Sequence, residues 1–358
     1  MKKLITLLMM KKNSVQRRFG LRAKCLLVFA LCLTILSLVV AVGDLEAAEP
    51  KVISLIVSVP GTPRDPHVHA WEIANEKIKE LSDGTMEIKL FHSGQLFTQA
   101  AGQEAVSDGR LDLTTTAVAF VANYAPGIGF LSAAFTFSDY DHLERVMSSE
   151  IGKEVLNIIT EAWGARPLGA WYLGIRQLNL RDIGHEVRTP QDMRGVALRV
   201  PDSPDWLAMG RALGAEPTPL AFGEVYTALQ TGTVDGQDNP LESTKNNSFH
   251  EVTKYIILTG HQVGFVLPTI SKSKWESLTE QQQDWLLQAI EAGAKYSAEE
   301  NLKAEEELLE FFESQGLIII EPDLDAFRAY AKESYATTDR KLSEKWDMDL
   351  YERVQALK

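Results

Sequence analysis

Between Thr279 and Gly316 the chain carries one sustained helical pattern, and no other feature constrains the fold as tightly. Thr279, with Gln282 three positions on, has the form of a capping box, and Gly316 offers a left-handed stop. Trp285, Leu286, Ile290, Ala294, Tyr296, Leu302, Leu308, Leu309 and Phe312 follow the helical repeat between them. Gly293 is the one weak point, costing about 1 kcal/mol against alanine, too little to break so long an element. At about 1.5 Å per residue the helix is roughly 50 Å long, longer than one small domain is wide. It reads either as a strut under two lobes or as an oligomer helix. The acidic run Glu305-Glu306-Glu307 and the small pair Gly293-Ala294 interrupt any strict coiled-coil stripe.

Ahead of that helix, short β-type runs alternate with helical patterns. Val52–Val57 reads as a strand, Val68–Leu81 as a helix stopped by Gly84, and Met86–Phe91 as an alternating strand. A short helix precedes Leu111–Thr115, Glu150–Trp163 is helical, and Leu168–Leu178 is extended. Gly195–Val200 is a strand and Pro204–Leu213 a helix, while Asp235–Pro240, marked by Asp235-Gly236, reads as a polar turn rich in amide donors. This order predicts α/β architecture with mainly parallel sheets.

The first 48 residues differ from the rest. They hold eight basic side chains and two acids, and both cysteines, Cys25 and Cys32. Basic residues to Lys24, an apolar run from Cys25 to Val42 and small residues at Ala47-Ala48 follow the order of a secretory signal. The apolar run is also long enough to remain as an uncleaved anchor. In either case the body is exported and a periplasmic location is expected. Removing that segment from 36 basic and 49 acidic residues leaves 28 and 47, a net charge of −19. So acidic a body repels phosphate backbones, which argues against nucleic-acid binding. Without thiols, the body has no disulfide, cysteine-ligated zinc or cysteine nucleophile.

Catalytic and phosphate-binding motifs are missing: there is no G-x-S-x-G, H-E-x-x-H, P-loop or G-x-G-x-x-G. His67-Val-His69 lacks a clear third metal ligand, and no metal or cofactor is expected. Asp112, Asp235 and Asp238 read as solvated acids rather than an acid–base pair. What remains is a binding constellation. Arg199 lies in the apolar strand Val196–Val200, where a guanidinium buried alone costs several kcal/mol and needs an anionic partner. That partner is either an internal carboxylate or a ligand carboxylate held bidentately. Arg176, in Gly174-Ile175-Arg176, faces the same choice.

These residues carry a family resemblance. Leu198-Arg199-Val200-Pro201, Leu213-Gly214-Ala215-Glu216-Pro217-Thr218-Pro219, Phe222-Gly223-Glu224-Val225-Tyr226 and Val234-Asp235-Gly236-Gln237-Asp238-Asn239-Pro240 resemble the solute-binding proteins of tripartite ATP-independent periplasmic (TRAP) transporters. The likeness continues through Glu251–Tyr255 and His261 into the long helix, and includes Gly94-Gln95-Leu96 upstream. The resemblance implies a two-lobed periplasmic binding protein fold with hinge strands and a lobe-spanning helix, closing on a small organic acid. On that basis residues 49–173 with 266–305 form one lobe, and 174–265 with 306–358 the other. The carboxylate arginine falls on Arg199, its helpers on Arg176 and Asn239, and an aromatic wall on Phe222. A TRAP membrane permease is the implied partner.

The substrate is read from departures. Phe97 stands where the family commonly has glycine, and Thr114–Phe120, with Thr116 expected to meet ligand, lacks the charged contacts of sialic-acid binders. Trp171 and Tyr172 near Arg176 would make the pocket more aromatic. A C4-dicarboxylate or 2-oxo acid is expected, with a uronate contacted by His67 as the alternative. Two other classes stay open: a periplasmic hydrolase or lyase using Asp235 or Asp238 with His67, and a membrane-anchored ligand sensor.

Overall fold

In the computed structural model, which describes residues 52–358, the apolar run ISLIVS forms β1 (Ile53–Ser58). It pairs in parallel with β2 (Met86–Phe91) and with β3 (Leu113–Thr116). The helix Pro66–Leu81 joins β1 to β2, burying Val68, Ala70, Trp71, Ala74 and Ile78 on one face, and Gly84 turns the chain with a φ of 78°. The export signal expected over residues 1–48 lies outside the described residues.

A second parallel set lies across the molecule: β6 (Ala197–Val200) between β7 (Glu216–Pro219) and β8 (Gly236–Pro240). The sets are joined by β5 (Trp171–Leu180) and the 17-residue β9 (Tyr255–Ser271), giving the order β2-β1-β3-β9-β5-β8-β6-β7. The end of β9 pairs with β3 and its start with β5, so one strand runs through both halves. β4 (Ala165–Pro167) and β10 (Ile318–Ile320) flank it.

The expectation of mainly parallel sheets is corrected here, because every pairing of β5 and most of those of β9 are antiparallel. A chain that crosses between two βαβ halves and returns must run both ways through the centre. Asp235–Pro240 is corrected as well. Its last five residues are not a turn but the buried strand β8, and Gly236 is needed because a Cβ there would stand 2.1 Å from Leu180 Cδ2.

The long helix runs from Glu280 to Ser314, with the Thr279/Gln282 capping box formed and Gly316 at a φ of 86°. Leu286 and Ile290 pack with Leu55, Val57 and Trp71, while Leu308 and Phe312 pack with Leu241, Ile256 and Leu317. The helix therefore lies under both halves. It also clamps β5 where the chain passes between them. Trp171 Nε1 donates to the Ile290 carbonyl (2.9 Å), and Tyr172 Oη and the Ile175 amide both donate to Glu305. Gly293 is a close-approach position rather than a flaw, since a Cβ there would meet Trp171 Cζ2 at 2.6 Å and the Ala70 carbonyl at 2.9 Å.

Residues 306–358 do not all pack on the second half. The helix Leu324–Ala336 buries Phe327 against Leu198 and Val200. The last helix, Met348–Gln355, instead packs Leu350 and Val354 against Val155 and Ile159 of the helix Glu150–Ala162, and Arg353 forks onto Glu154.

Candidate ligand-binding site

Arg199 is placed by β6, whose apolar neighbours Leu198 and Val200 anchor the strand in the core. Its side chain is 1% exposed. Nε and Nη2 donate to the Leu220 carbonyl at 2.9 and 2.7 Å, and the Phe222 ring centre lies 5.8 Å from Cζ. Among the described residues no carboxylate stands within salt-bridge distance of it. Burial pulls its pKa down to about 9, with Asp238 working against that shift and Arg176 adding to it. This is a desolvated cation whose one direct acceptor is the Leu220 carbonyl, with Asp238 and Glu224 acting on it only at a distance, and a carboxylate would neutralise it.

Arg176 is different. β5 and β8 pair antiparallel, and Arg176 Nε donates to Asp238 Oδ2 at 2.7 Å, both side chains being buried. Nη2 donates to the Asp238 carbonyl, and the Trp206 ring covers the guanidinium with its centre 4.6 Å from Cζ. Burial pushes the Asp238 carboxyl up, but Arg176 and His261 outweigh it and hold the group below the usual aspartate range. Arg176 thus has an internal partner, and it still lines the cavity. On the alternate residues of β8, Asn239 Nδ2 donates to Gln237 Oε1, and Gln237 Nε2 reaches Asn179 at 3.1 Å.

The other half brings His67, in the first turn of the helix Pro66–Leu81, to the same cavity. Burial lowers its pKa despite Asp65, so the imidazole is neutral near pH 7, and Nδ1 is buried without a partner. Two expected contacts fall elsewhere. Trp171 is fully buried against Trp71, with ring centres 4.8 Å apart, and lines no part of the cavity; its indole N–H is occupied by the long helix. Thr116 is also fully buried, and it is Thr115 and Ala117, on the other face of the chain, that line the cavity. A one-residue error in strand parity turns a side chain to the opposite face.

Sequence reasoning missed Trp206, Gln99, Ser243, Asp202 and Glu224, all of which line the cavity. Trp206 sits in a helix whose apolar pattern reads as core. Its proximity in sequence to Arg199 was the one available signal. The enzyme reading fails on geometry: Asp235 Oδ2 accepts the Ala197 amide at 2.9 Å, and Asp238 is ion-paired. Among the described residues no group of His, Cys, Asp or Glu could hold a metal.

The cavity has an inner chamber of about 80 Å³ and an outer one of about 590 Å³. Pro60, Gln99, Arg199, Pro201 and Phe222 line both. Together they have the size of a small-molecule site. The walls come from both halves, so a ligand held by both favours whichever arrangement brings them together.

Residues 57–341 match the family described as "DctP: Bacterial extracellular solute-binding protein, family 7". A TRAP periplasmic solute-binding protein from Roseobacter denitrificans, solved with bound 3-deoxy-D-manno-oct-2-ulosonic acid, is similar at a TM-score of 0.81 and 34% identity, covering 86% of this chain and 100% of that one. The sialic acid-binding periplasmic protein SiaP of Vibrio cholerae is 31% identical over 269 residues, 75% of this chain and 83% of its own. The C4-dicarboxylate-binding periplasmic protein DctP of Rhodobacter capsulatus is 30% identical over 278 residues, 76% and 80%.

Proposed function

The chain belongs to family 7 of the bacterial extracellular solute-binding proteins, those of TRAP transporters, and we propose that it captures a hydroxylated acid with a single carboxylate, a sugar acid, for a TRAP membrane permease. It is a substrate-binding transport protein and not an enzyme. Arg199 carries the reading, as a buried guanidinium without a counter-ion at the junction of two chambers. Arg176 and Asn239 complete the carboxylate's hydrogen bonds, and Phe222 excludes water beside it. Export by the N-terminal segment would put the protein in the periplasm.

Charge decides between the acid classes. Among the described residues lining the two chambers, Arg199 is the only cation without a carboxylate partner: Arg176 is paired and His67 is neutral. The outer chamber carries Asp202 and Glu224. A C4-dicarboxylate would turn its second carboxylate toward acids, whereas a polyol tail would meet hydroxyl and amide groups at Ser93, Thr98 and Gln99. This favours the sugar-acid alternative over the dicarboxylate first expected. The sugar acids named for the Roseobacter and Vibrio relatives support it, and the Rhodobacter relative supports the other class.

Calorimetric titration with galactonate, 3-deoxy-D-manno-oct-2-ulosonic acid, N-acetylneuraminate, succinate and malate tests the reading. A sugar acid should bind at least about tenfold more tightly than either dicarboxylate, a difference of about 1.4 kcal/mol. Tighter binding of succinate or malate would reject it.

A further inference from the structure

Two residues that line the inner chamber each carry a buried polar atom without a partner among the described residues: Trp206 Nε1 and His67 Nδ1. A buried polar atom left unmade is costly, so the indole N–H calls for an absent acceptor and the imidazole Nδ1 for a donor or an acceptor according to its tautomer. Trp206 is held in the first turn of the helix Pro204–Ala212, where its amide donates to Ser203 Oγ at 3.3 Å. Its ring lies on Arg176, which is tied in turn to Asp238. The indole cannot swing away without uncovering that guanidinium. It therefore stands fixed beside the arginine pair where the carboxylate is seated. In any acid, the substituent closest to the carboxylate is the one on carbon 2.

We propose that Trp206 is a specificity-determining residue whose indole N–H donates to an oxygen on carbon 2 of the bound acid, selecting 2-hydroxy and 2-oxo acids over acids bare at that carbon. The inference rests on the acid-binding reading above and narrows it. An indole only donates, so it accepts a hydroxyl or keto oxygen equally and rejects a methylene by leaving the N–H unmade. The neutral imidazole of His67, reaching in from the opposite half, donates or accepts and completes the same end of the chamber. A competing place for the acceptor exists. Behind Trp206, a pocket of about 30 Å³ lined by Arg176, Gln262 and Ser132 has room for a water. A water there would satisfy the indole whatever the ligand carries on carbon 2.

The test is a cycle of protein and ligand changes, read by calorimetry: wild type and Trp206→Phe, each with galactonate and 2-deoxygalactonate. Phenylalanine keeps a ring over Arg176 and removes the donor. In wild type, loss of the 2-oxygen should weaken binding about tenfold. Trp206→Phe should weaken galactonate by a similar factor and leave the deoxy acid unaffected. If the substitution weakens both acids equally, or neither, the donor assignment is wrong although acid binding stands. If wild type binds neither these acids nor any other sugar acid of the titration above, the sugar-acid reading falls and takes this inference with it. Should Trp206→Phe fail to fold, indole ¹⁵N–¹H spectra of the wild type decide. Of its seven tryptophans, one resonance should move downfield with galactonate and not with the deoxy acid. Spectra that do not distinguish the two acids overturn the proposal.

Discussion

Arg199 and Arg176 are the same residue type at the same cavity, and their partners make them opposites. Arg176 has Asp238 at 2.7 Å in a fully buried pair, so removing it strands a carboxylate. Arg176→Ala should destabilise the protein by about 3–5 kcal/mol, measured by denaturant unfolding. Arg199 has only the Leu220 carbonyl, so removing it strands no charge in the ligand-free protein. Arg199→Ala should leave the unfolding free energy within about 1 kcal/mol of wild type while weakening the preferred acid about 10²- to 10³-fold. Unchanged calorimetric affinity in Arg199→Ala would remove it from the clamp. Arg199→Lys should recover only part of the loss, because an ammonium does not offer the planar fork that a carboxylate fits.

Propensity and packing disagree within the long helix. Alanine is about 1 kcal/mol better than glycine in a helix interior, which by itself favours Gly293→Ala. The added Cβ would lie 2.6 Å from Trp171 Cζ2 and 2.9 Å from the Ala70 carbonyl, and Trp171 is held by Trp71 and Ile290. Overpacking of this kind costs about 1–3 kcal/mol. Gly293→Ala should therefore lower the melting temperature, and a rise would show that the helix can shift without cost. β8 shows the same conflict: Gly, Asp, Asn and Pro are poor strand formers, yet its polar side chains find Arg176, His261 and Asn179 on neighbouring elements.

Across the molecule, the junction of the halves gathers acid. Glu242 is buried at the start of the helix Leu241–Asn246, with Asp65 and Glu305 facing it from two other elements. Burial first, then those carboxylates, push its pKa up to about 8 from the ordinary glutamate value. Below the ordinary value both folded and unfolded chains hold the proton and no penalty exists. Between there and about pH 8 the unfolded chain releases a proton that the native state keeps, so stability falls as pH rises. Asp205, raised to about 7 by burial, acts in the same direction, while the His67 and His261 imidazoles, lowered by burial, act against it; Asp238, held low, contributes only below the ordinary aspartate value. Glu242→Gln should flatten the decline in melting temperature between pH 5 and 8. An identical slope in the variant would mean that Glu242 ionises freely in the native state. The same junction carries the contacts Asn246 Nδ2 to the Arg64 carbonyl (2.8 Å) and Asn247 Nδ2 to Asp65 Oδ1 (3.3 Å), which link the segment before the Pro66 helix to the second half.

Sequence by itself determined the long helix with its capping box and glycine stop, the strands read at 52–57, 86–91 and 195–200 and found at Ile53–Ser58, Met86–Phe91 and Ala197–Val200, and the presence of an arginine inside an apolar strand. Caps and hydrophobic periods are settled by residues within a turn or two of each other, so they can be read along the chain. Only the tertiary structure decided that Arg176 already has a counter-ion and Arg199 does not, because Asp238 lies 62 residues from Arg176. It also decided that Thr115 rather than Thr116 meets the cavity, that Trp171 is core, and that the last helix returns to the first half. Each of these depends on which distant segment fills the space beside a side chain, and a buried charge or ring takes its role from that neighbour.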